Sequence, residues 1–219
     1  MEWQKRFSLA VGMLTVADVV LLIFRMMLTG THTFSFIPWN LFLAWLSFIV
    51  AGVLVRSLEH GRWSSLKNIL LSILWLAFLP NTWYVLTDFI HVGPTAEISQ
   101  LYDIVLISLL VFIGFALGFA SLFMVHRELL KRYSVGISYG IIEGVILFSS
   151  FAIYIGRDLR WNTWDVIANP GGLIVNVSDR IIDPFGSPRA LNVTLLFFTL
   201  LSLIYLAFWI FTYPGRARG

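Results

Sequence analysis

The stretch that decides the fold is residues 7–28, which read FSLAVGMLTVADVVLLIFRMML. Only Asp18 and Arg25 carry a charge in it. At about 1.5 Å per residue, a helix of this length crosses a hydrocarbon core of about 30 Å. Neither the shorter apolar core nor the small-residue cleavage site of a signal peptide is evident. We therefore predict a retained transmembrane helix.

The composition places the rest of the chain in the same class. Of the 219 residues, 58% are hydrophobic and 12% are charged, and the mean hydropathy is +0.85. Such a composition excludes a water-soluble globule. The chain has no cysteine, which excludes disulfides, thiolate catalysis and cysteine metal sites. The sequence pI is about 9.4, but the basic residues are spread over short loops, so nucleic acid is not a predicted partner.

Five further apolar runs follow the first. We predict an all-α polytopic protein with six transmembrane helices in a single domain over residues 1–219, whose partner is the lipid bilayer. The predicted spans are 7–28, 38–55, 67–87, 102–125, 134–155 and 190–213. In the last outer loop, residues 157–188 contain apolar segments too short to cross, and we predict a short interfacial helical segment there.

The distribution of basic residues predicts the orientation. If the six spans alternate sides, ten of the 15 lysines and arginines fall on the side that holds both termini. Arg25 lies within span one. The other side has four, which are Arg157, Arg160, Arg180 and Arg189. The positive-inside rule then places both termini in the cytoplasm of a multi-pass protein of the cell (cytoplasmic) membrane.

Span three contains a proline before it can finish crossing. Residues 67–79 form only about 20 Å of helix, so the crossing must continue through Pro80. Proline lacks the N–H that would bond the carbonyl of Leu76. We expect the helix to kink or open near Pro80 and Asn81. Two alternatives stay open, a kink compensated by Asn81 and Thr82 or a discontinuous helix that lines a site.

Glycines spaced four apart predict a close helix pair. Span four contains Gly114 and Gly118, and span five contains Gly136, Gly140 and Gly144. Small residues at this spacing let helix backbones approach closely in membranes. We therefore predict that spans four and five pack against each other.

The outer side gathers polar residues from three segments, and they form the candidate site. Arg157 and Arg160 lie on the outer side, where basic residues are less common. Such arginines are typically paired with carboxylates or bind an anion. We predict that this site binds an anionic lipid headgroup or a small anionic substrate. Its members are Asn81, Tyr84, Asp88, His91, Asp103, Arg157, Arg160, Trp161, Asn162, Trp164 and Asp165. The opposing interpretation is a network of charges and caps that only holds the loops together.

The same residues leave other chemistry open. Asp88 and His91, with Asp103, Asp158 or Asp165, would suit a hard divalent cation. Acid-base work on a headgroup, with Asp88 or His91 as base, is a further option. The sequence has no zinc-protease, phosphate-loop or dinucleotide motif. We therefore assign no metal and no cofactor, and enzymatic activity stays open.

Asp18 and Glu143 form a second candidate pair at mid-membrane depth. Carboxylates are costly there and usually face the bundle interior or mark an ion path. Arg25 lies seven residues after Asp18 on the same helix face, which would allow an ion pair or a relay. The alternatives are protonated acids hydrogen-bonded to neighbouring helices, or a small proton- or ion-coupled transporter.

The outer-side motifs resemble a known family. The residues are Leu79-Pro80-Asn81-x-x-Tyr84-x-x-Thr87-Asp88-x-x-His91, then Tyr102-Asp103, then Gly156-Arg157-x-x-Arg160-Trp161-Asn162-x-Trp164-Asp165 with Asn169-Pro170. They resemble the predicted bacterial integral membrane proteins grouped as domain of unknown function 1361, over roughly residues 36 to 210. The resemblance implies a polytopic membrane protein and no established activity. Three function classes remain: an outer binding site, an ion-coupled transporter, and a structural or partner subunit of a membrane complex.

Overall fold

The fold is built from helices joined by short non-helical segments over the residues that a computed structural model describes, which are 2–93, 100–159, 171 and 188–212. The six long helices are α1 (Glu2–Thr29), α2 (Ile37–His60), α3 (Leu66–Tyr84), α4 (Gln100–Leu130), α5 (Val135–Asp158) and α6 (Pro188–Thr212). None of the described residues belongs to a β-strand. The all-α prediction is confirmed.

All six helices are long and apolar enough to cross a membrane. The mean hydropathy of the most apolar window ranges from 1.6 in α5 to 2.6 in α4. Large apolar side chains are exposed along the helices, for example Met27 at 77% and Phe211 at 90%. Exposure of this kind suits a surface that faces lipid. The six predicted spans are confirmed, while the sidedness of the termini stays a prediction.

The third span is continuous through its proline. Helix α3 continues past Pro80 to Tyr84, and a 3₁₀ helix, Val85–His91, follows directly. Asn81 Nδ2 donates to the carbonyl oxygen of Phe78 at 3.2 Å, and Thr82 Oγ1 donates to that of Leu79 at 2.7 Å. Of the two alternatives for this span, the structure therefore contains a continuous helix in which Asn81 and Thr82 compensate for Pro80, and not a discontinuous helix.

The glycines of α4 pack against α3. A Cβ atom added at Gly114 would overlap the carbonyl oxygen of Thr82 and lie 2.8 Å from Val85 Cγ2. One added at Gly118 would overlap Thr82 Oγ1 and lie 2.7 Å from Trp83 Nε1. The residues just after Pro80 thus fill the space that the two glycines leave. The prediction that Gly114 and Gly118 serve a contact with span five is wrong.

The glycines of α5 have a different environment. A Cβ atom added at Gly136, Gly140 or Gly144 would meet no described atom within 4 Å. The buried face of α5 is formed by Ser138, Ile142, Ile146, Ser149 and Ile153. At about 100° per residue, the glycines project from the opposite side of the helix. Within the second unit these glycines therefore lie off the buried face of α5, and the contact between spans four and five stays a prediction.

The chain divides into two compact units, Met1–Glu128 and Leu129–Gly219. The first holds α1 to α3 and nearly all of α4, and within it α2 packs along α3. The second holds α5 and α6, which pack along each other. The single transmembrane domain stays a prediction. The interfacial segment predicted within residues 157–188 lies almost entirely outside the described residues.

Candidate functional site

A buried ion pair joins α1 to α4 at one end of the first unit. Arg25 Nε donates to Asp103 Oδ1 at 2.6 Å, and Arg25 Nη2 donates to Asp103 Oδ2 at 3.1 Å. The two side chains are 2% and 1% exposed. Beside them, the hydroxyl of Tyr102 donates to the carbonyl oxygen of Leu21 at 2.7 Å. Because the guanidinium binds both oxygens of Asp103, the alternative in which Arg25 pairs with Asp18 is wrong.

The turn after α1 completes the surroundings of Arg25. Gly30 ends the helix in the left-handed conformation, with φ of +67°, which glycine adopts at little cost. The chain then reverses, so that Thr31 Oγ1 accepts from Arg25 Nη1 at 3.2 Å and the Phe34 ring lies 4.4 Å from the guanidinium carbon. Arg25 thus has a carboxylate, a hydroxyl and an aromatic face around it, which suits a buried cation.

Asp88 forms a second polar contact at the same end. Asn40 Nδ2 of α2 donates to Asp88 Oδ2 at 2.8 Å, and Asp88 is 3% exposed. Asp88 and His91 are three residues apart in a 3₁₀ helix, which places them on one face. His91 is exposed, and its ring centroid lies 5.2 Å from that of Phe36.

A row of aromatic rings connects the two contacts. The Phe36 ring lies 5.9 Å from the Phe34 ring, which in turn lies over Arg25. We call this region the far end of the first unit, formed by residues 25–40, 84–93 and 100–103. It brings Asp88, His91 and Asp103 to one end of the unit, although the two carboxylates have different partners.

Asn81 and Tyr84 mark the junction between α3 and the 3₁₀ helix. Asn81 is half-buried and donates to a carbonyl of its own helix. The carbonyl oxygen of Tyr84 accepts from Thr87 Oγ1 at 2.8 Å. These contacts are local, and they stabilise a backbone whose regular hydrogen bonding is altered by Pro80.

In the second unit the structure describes one predicted member, Arg157. It lies in the last turn of α5, is half-buried, and makes no ion pair with any residue that the structure describes. Its neighbour Asp158 pairs with Arg189 Nε of α6 at 2.5 Å. The remaining predicted members lie outside the described residues: Arg160, Trp161, Asn162, Trp164 and Asp165.

Asp18 is the most unusual polar group of the first unit. Its exposure is 0%, and neither carboxyl oxygen has a hydrogen-bond partner among the described residues. It shares the buried face of α1 with Val11, Leu22 and Arg25. Its mid-membrane depth stays a prediction, and the structure adds that the carboxyl is enclosed in protein.

Glu143 has polar neighbours within the second unit. Ser202 Oγ of α6 donates to Glu143 Oε2 at 2.6 Å, and the side chain of Tyr139 is hydrogen-bonded to Glu143. Glu143 Oε1 is buried and has no hydrogen-bond partner among the described residues. Glu143 therefore faces α6, as expected of an intramembrane acid that points into protein.

The family follows from a comparison with known proteins. The profile described as "Protein of unknown function (DUF1361)" matches residues 39–214, well over half of the chain. The chain belongs to the DUF1361 family. No curated protein and no solved structure matches it. The part of this DUF1361 protein that matches begins in α2, so it contains Asp88, Asp103, Glu143 and Arg157, whereas Asp18 precedes it.

The described part of the DUF1361 protein contains no group of three His, Asp or Glu side chains placed to hold a metal ion. Asp103 is occupied by Arg25, and Asp88 accepts from Asn40. The divalent-cation alternative therefore gains no support from these ranges.

Sequence reasoning missed three far-end residues of the DUF1361 protein. They are Asn40, which contacts Asp88, and Thr31 and Phe34, which both contact Arg25. None of the three belongs to a motif. One signal was available for Asn40, because it is the only amide side chain in α2. An amide inside an apolar run usually faces a polar partner in the protein.

Proposed function

We propose that this protein is a small proton-coupled transporter in which Asp18 binds and releases the coupled proton. One observation carries the proposal: a carboxyl with 0% exposure, in a membrane span, with no hydrogen-bond partner among the described residues. Intramembrane carboxyl groups commonly serve proton relays and ion pathways.

Burial of a charge in the interior of the first unit is costly. An ionised carboxylate without a partner is strongly disfavoured in an apolar environment, so the enclosed Asp18 carries a proton. Release of that proton leaves a negative charge that needs water or a cation. The conformation that releases the proton must therefore differ from the one described here.

Arg25 does not supply that positive charge in this conformation. It lies about 10 Å from Asp18 along α1, taken as seven residues at 1.5 Å each. Its guanidinium is held by both oxygens of Asp103 and by Thr31. Loss of the proton from Asp18 thus favours either entry of water into the first unit or a change at the far end. Either change links protonation to conformation, which coupled transport requires.

The absence of native cysteine allows a direct test. Ile90 is 67% exposed at the far end, so an Ile90→Cys variant offers a single thiol. We expect its labelling rate by a membrane-impermeant thiol reagent in proteoliposomes to change with pH beyond the change caused by thiol ionisation. In the Asp18→Asn background, which mimics the protonated state, only the change from thiol ionisation should remain.

Glu59→Gln is the matched control, because Glu59 is an exposed carboxyl near the other end of the unit. It should leave the pH profile of labelling as in the parent. Identical profiles with and without Asp18→Asn would contradict proton coupling through Asp18.

A second candidate function is binding of an anionic lipid headgroup or small anion on the outer side. The observation that favours it is Arg157, which is half-buried and makes no ion pair within the described ranges, whereas Arg25 and Arg189 each pair with an aspartate. A planar guanidinium binds two oxygens of a phosphate or carboxylate at once. On this proposal Arg157 contacts the anion, together with the predicted members that lie outside the described residues.

The comparison of Arg157→Gln with Arg157→Lys tests the anion proposal in nanodiscs. We expect the preference for phosphatidylglycerol over phosphatidylcholine, read by native mass spectrometry, to fall strongly with glutamine and partly with lysine. Arg189→Gln removes a paired charge and is the control. An unchanged lipid preference in Arg157→Gln would refute this candidate function.

A further inference from the structure

The second unit contains an oxygen-rich cluster around Glu143 that the proposed function does not use. Glu143 Oε2 accepts from Ser202 Oγ at 2.6 Å, and Tyr139 is hydrogen-bonded to the same carboxyl. Tyr205 is 0% exposed and close enough to Tyr139 and Glu143 to interact with both electrostatically. The second oxygen, Glu143 Oε1, is buried and lacks a hydrogen-bond partner among the described residues.

Further hydroxyl groups lie along the same pair of helices. Ser138, Ser149 and Thr194 are 0%, 0% and 8% exposed, and their hydroxyl oxygens have no hydrogen-bond partner within the described ranges. At about 100° per residue, Ser138 and Ser149 project from a different side of α5 than Glu143, so neither belongs to the Glu143 cluster. Buried polar oxygens normally find partners, so the unsatisfied Glu143 Oε1 calls for an explanation.

The chemistry of these groups indicates what they would bind. Carboxylate and hydroxyl oxygens are hard ligands, which suit alkali and alkaline-earth cations. One carboxylate and one monovalent cation form a neutral site, whereas a divalent cation would leave a net charge inside the membrane. The cluster contains neither imidazole nor thiolate among its described members, so softer metals are not favoured.

We propose that Glu143, with Ser202, Tyr139 and Tyr205, forms a binding site for a monovalent alkali cation. In this site the free oxygen Oε1 contacts the cation, and the hydroxyl groups supply neutral oxygen ligands. The proposal goes beyond the proton coupling assigned to Asp18, because it concerns a different unit and a different ion. Each proposal can fail without the other.

Thermal stability in detergent tests the site, because a ligand that binds only the folded state stabilises it. The probes are NaCl and KCl, compared with N-methylglucamine chloride at equal ionic strength. At a concentration ten times Kd, we expect Na⁺ or K⁺ to raise the unfolding temperature by roughly 3–6 °C. Glu143→Gln should abolish the shift, and Ser202→Ala should weaken cation affinity several-fold.

Two controls separate this result from general effects. Ser150 Oγ donates to the carbonyl of Ile146 in its own helix, so Ser150→Ala should retain the full cation shift. Asp18→Asn should retain it as well. Equal stability in all three salts for the wild-type chain would overturn the proposal, as would a shift that survives in Glu143→Gln. If Glu143→Gln does not fold, a several-fold weaker cation affinity in Ser202→Ala than in Ser150→Ala supports the site, and equal affinities in these two variants overturn it.

Discussion

Replacing Gly114 with alanine should weaken the contact between α3 and α4. The added Cβ atom would overlap the carbonyl oxygen of Thr82 and lie 2.8 Å from Val85 Cγ2. The first of these atoms belongs to the backbone and cannot rotate away. The helices must therefore separate, or α3 must shift just after Pro80.

The size of the effect follows from two opposing terms. Overpacking of a close contact costs about 1–3 kcal/mol, and the rigid carbonyl places Gly114 at the upper end. Alanine regains about 1 kcal/mol of helix propensity relative to glycine. The net loss is about 2 kcal/mol, which corresponds to a fall of about 4–8 °C in unfolding temperature for a chain of this length.

The assay is a thermal unfolding scan of the purified protein in detergent, with Gly140→Ala as the matched control. A Cβ atom at Gly140 meets no described atom within 4 Å, so only the propensity term applies. Gly140→Ala should keep or slightly raise the unfolding temperature. If Gly114→Ala unfolds at the wild-type temperature, or Gly140→Ala falls by as much as Gly114→Ala, the reasoning about helix contact is refuted.

Three further predictions follow from the far end and the charge distribution. Arg25→Ala should lower stability by about 3–5 kcal/mol by leaving Asp103 buried without its cation, and Asp103→Asn in the same chain should restore part of that loss; additive losses in denaturant titration would contradict the coupling. Arg25→Lys should also be destabilised, because lysine lacks the fork that binds both oxygens; wild-type stability in the same titration would argue against a bidentate contact. Single cysteines near positions 62 and 130 should react only from the cytoplasmic side and those near 95 and 175 only from outside; reaction from one side at all four would overturn the orientation.

The sequence predicted the helices because each of them is a long apolar run. Length and hydropathy decide whether a segment crosses a membrane, and both can be read locally. The six predicted spans therefore agree with the observed helices, with differences confined mainly to their ends. At its start, α1 extends to Glu2, beyond the apolar run.

Helix partners could not be predicted in the same way. A glycine spacing indicates close approach but not which helix approaches. The predicted contact for Gly114 was with span five, whereas the structure places Thr82 and Val85 of span three there. Pro80 does not indicate which helix packs against Gly114, because a proline alters the hydrogen bonds of its own helix and does not determine the neighbouring helix.

The same limit applies to the candidate site. Sequence offered Asp18 as the partner of Arg25 because the two share a helix face, while the structure pairs Arg25 with Asp103, 78 residues away. The structure brings Asp88, His91 and Asp103 to the far end of the first unit, and the convergence of the other predicted members with them stays a prediction. Their pairing depends on tertiary contacts that the positions of the residues along the chain do not reveal.

Difference infrared spectroscopy tests the central claim most directly, since it reports whether Asp18 carries a proton. The spectrum of the wild-type protein minus that of Asp18→Asn, recorded in lipid at neutral pH, should contain the C=O stretching band of a protonated carboxylic acid. Asp103→Asn, which removes a carboxylate paired with Arg25, should instead remove carboxylate bands. If the Asp18 difference spectrum contains carboxylate bands and no protonated C=O band, Asp18 is ionised in the folded protein and the proposed coupling through it is contradicted.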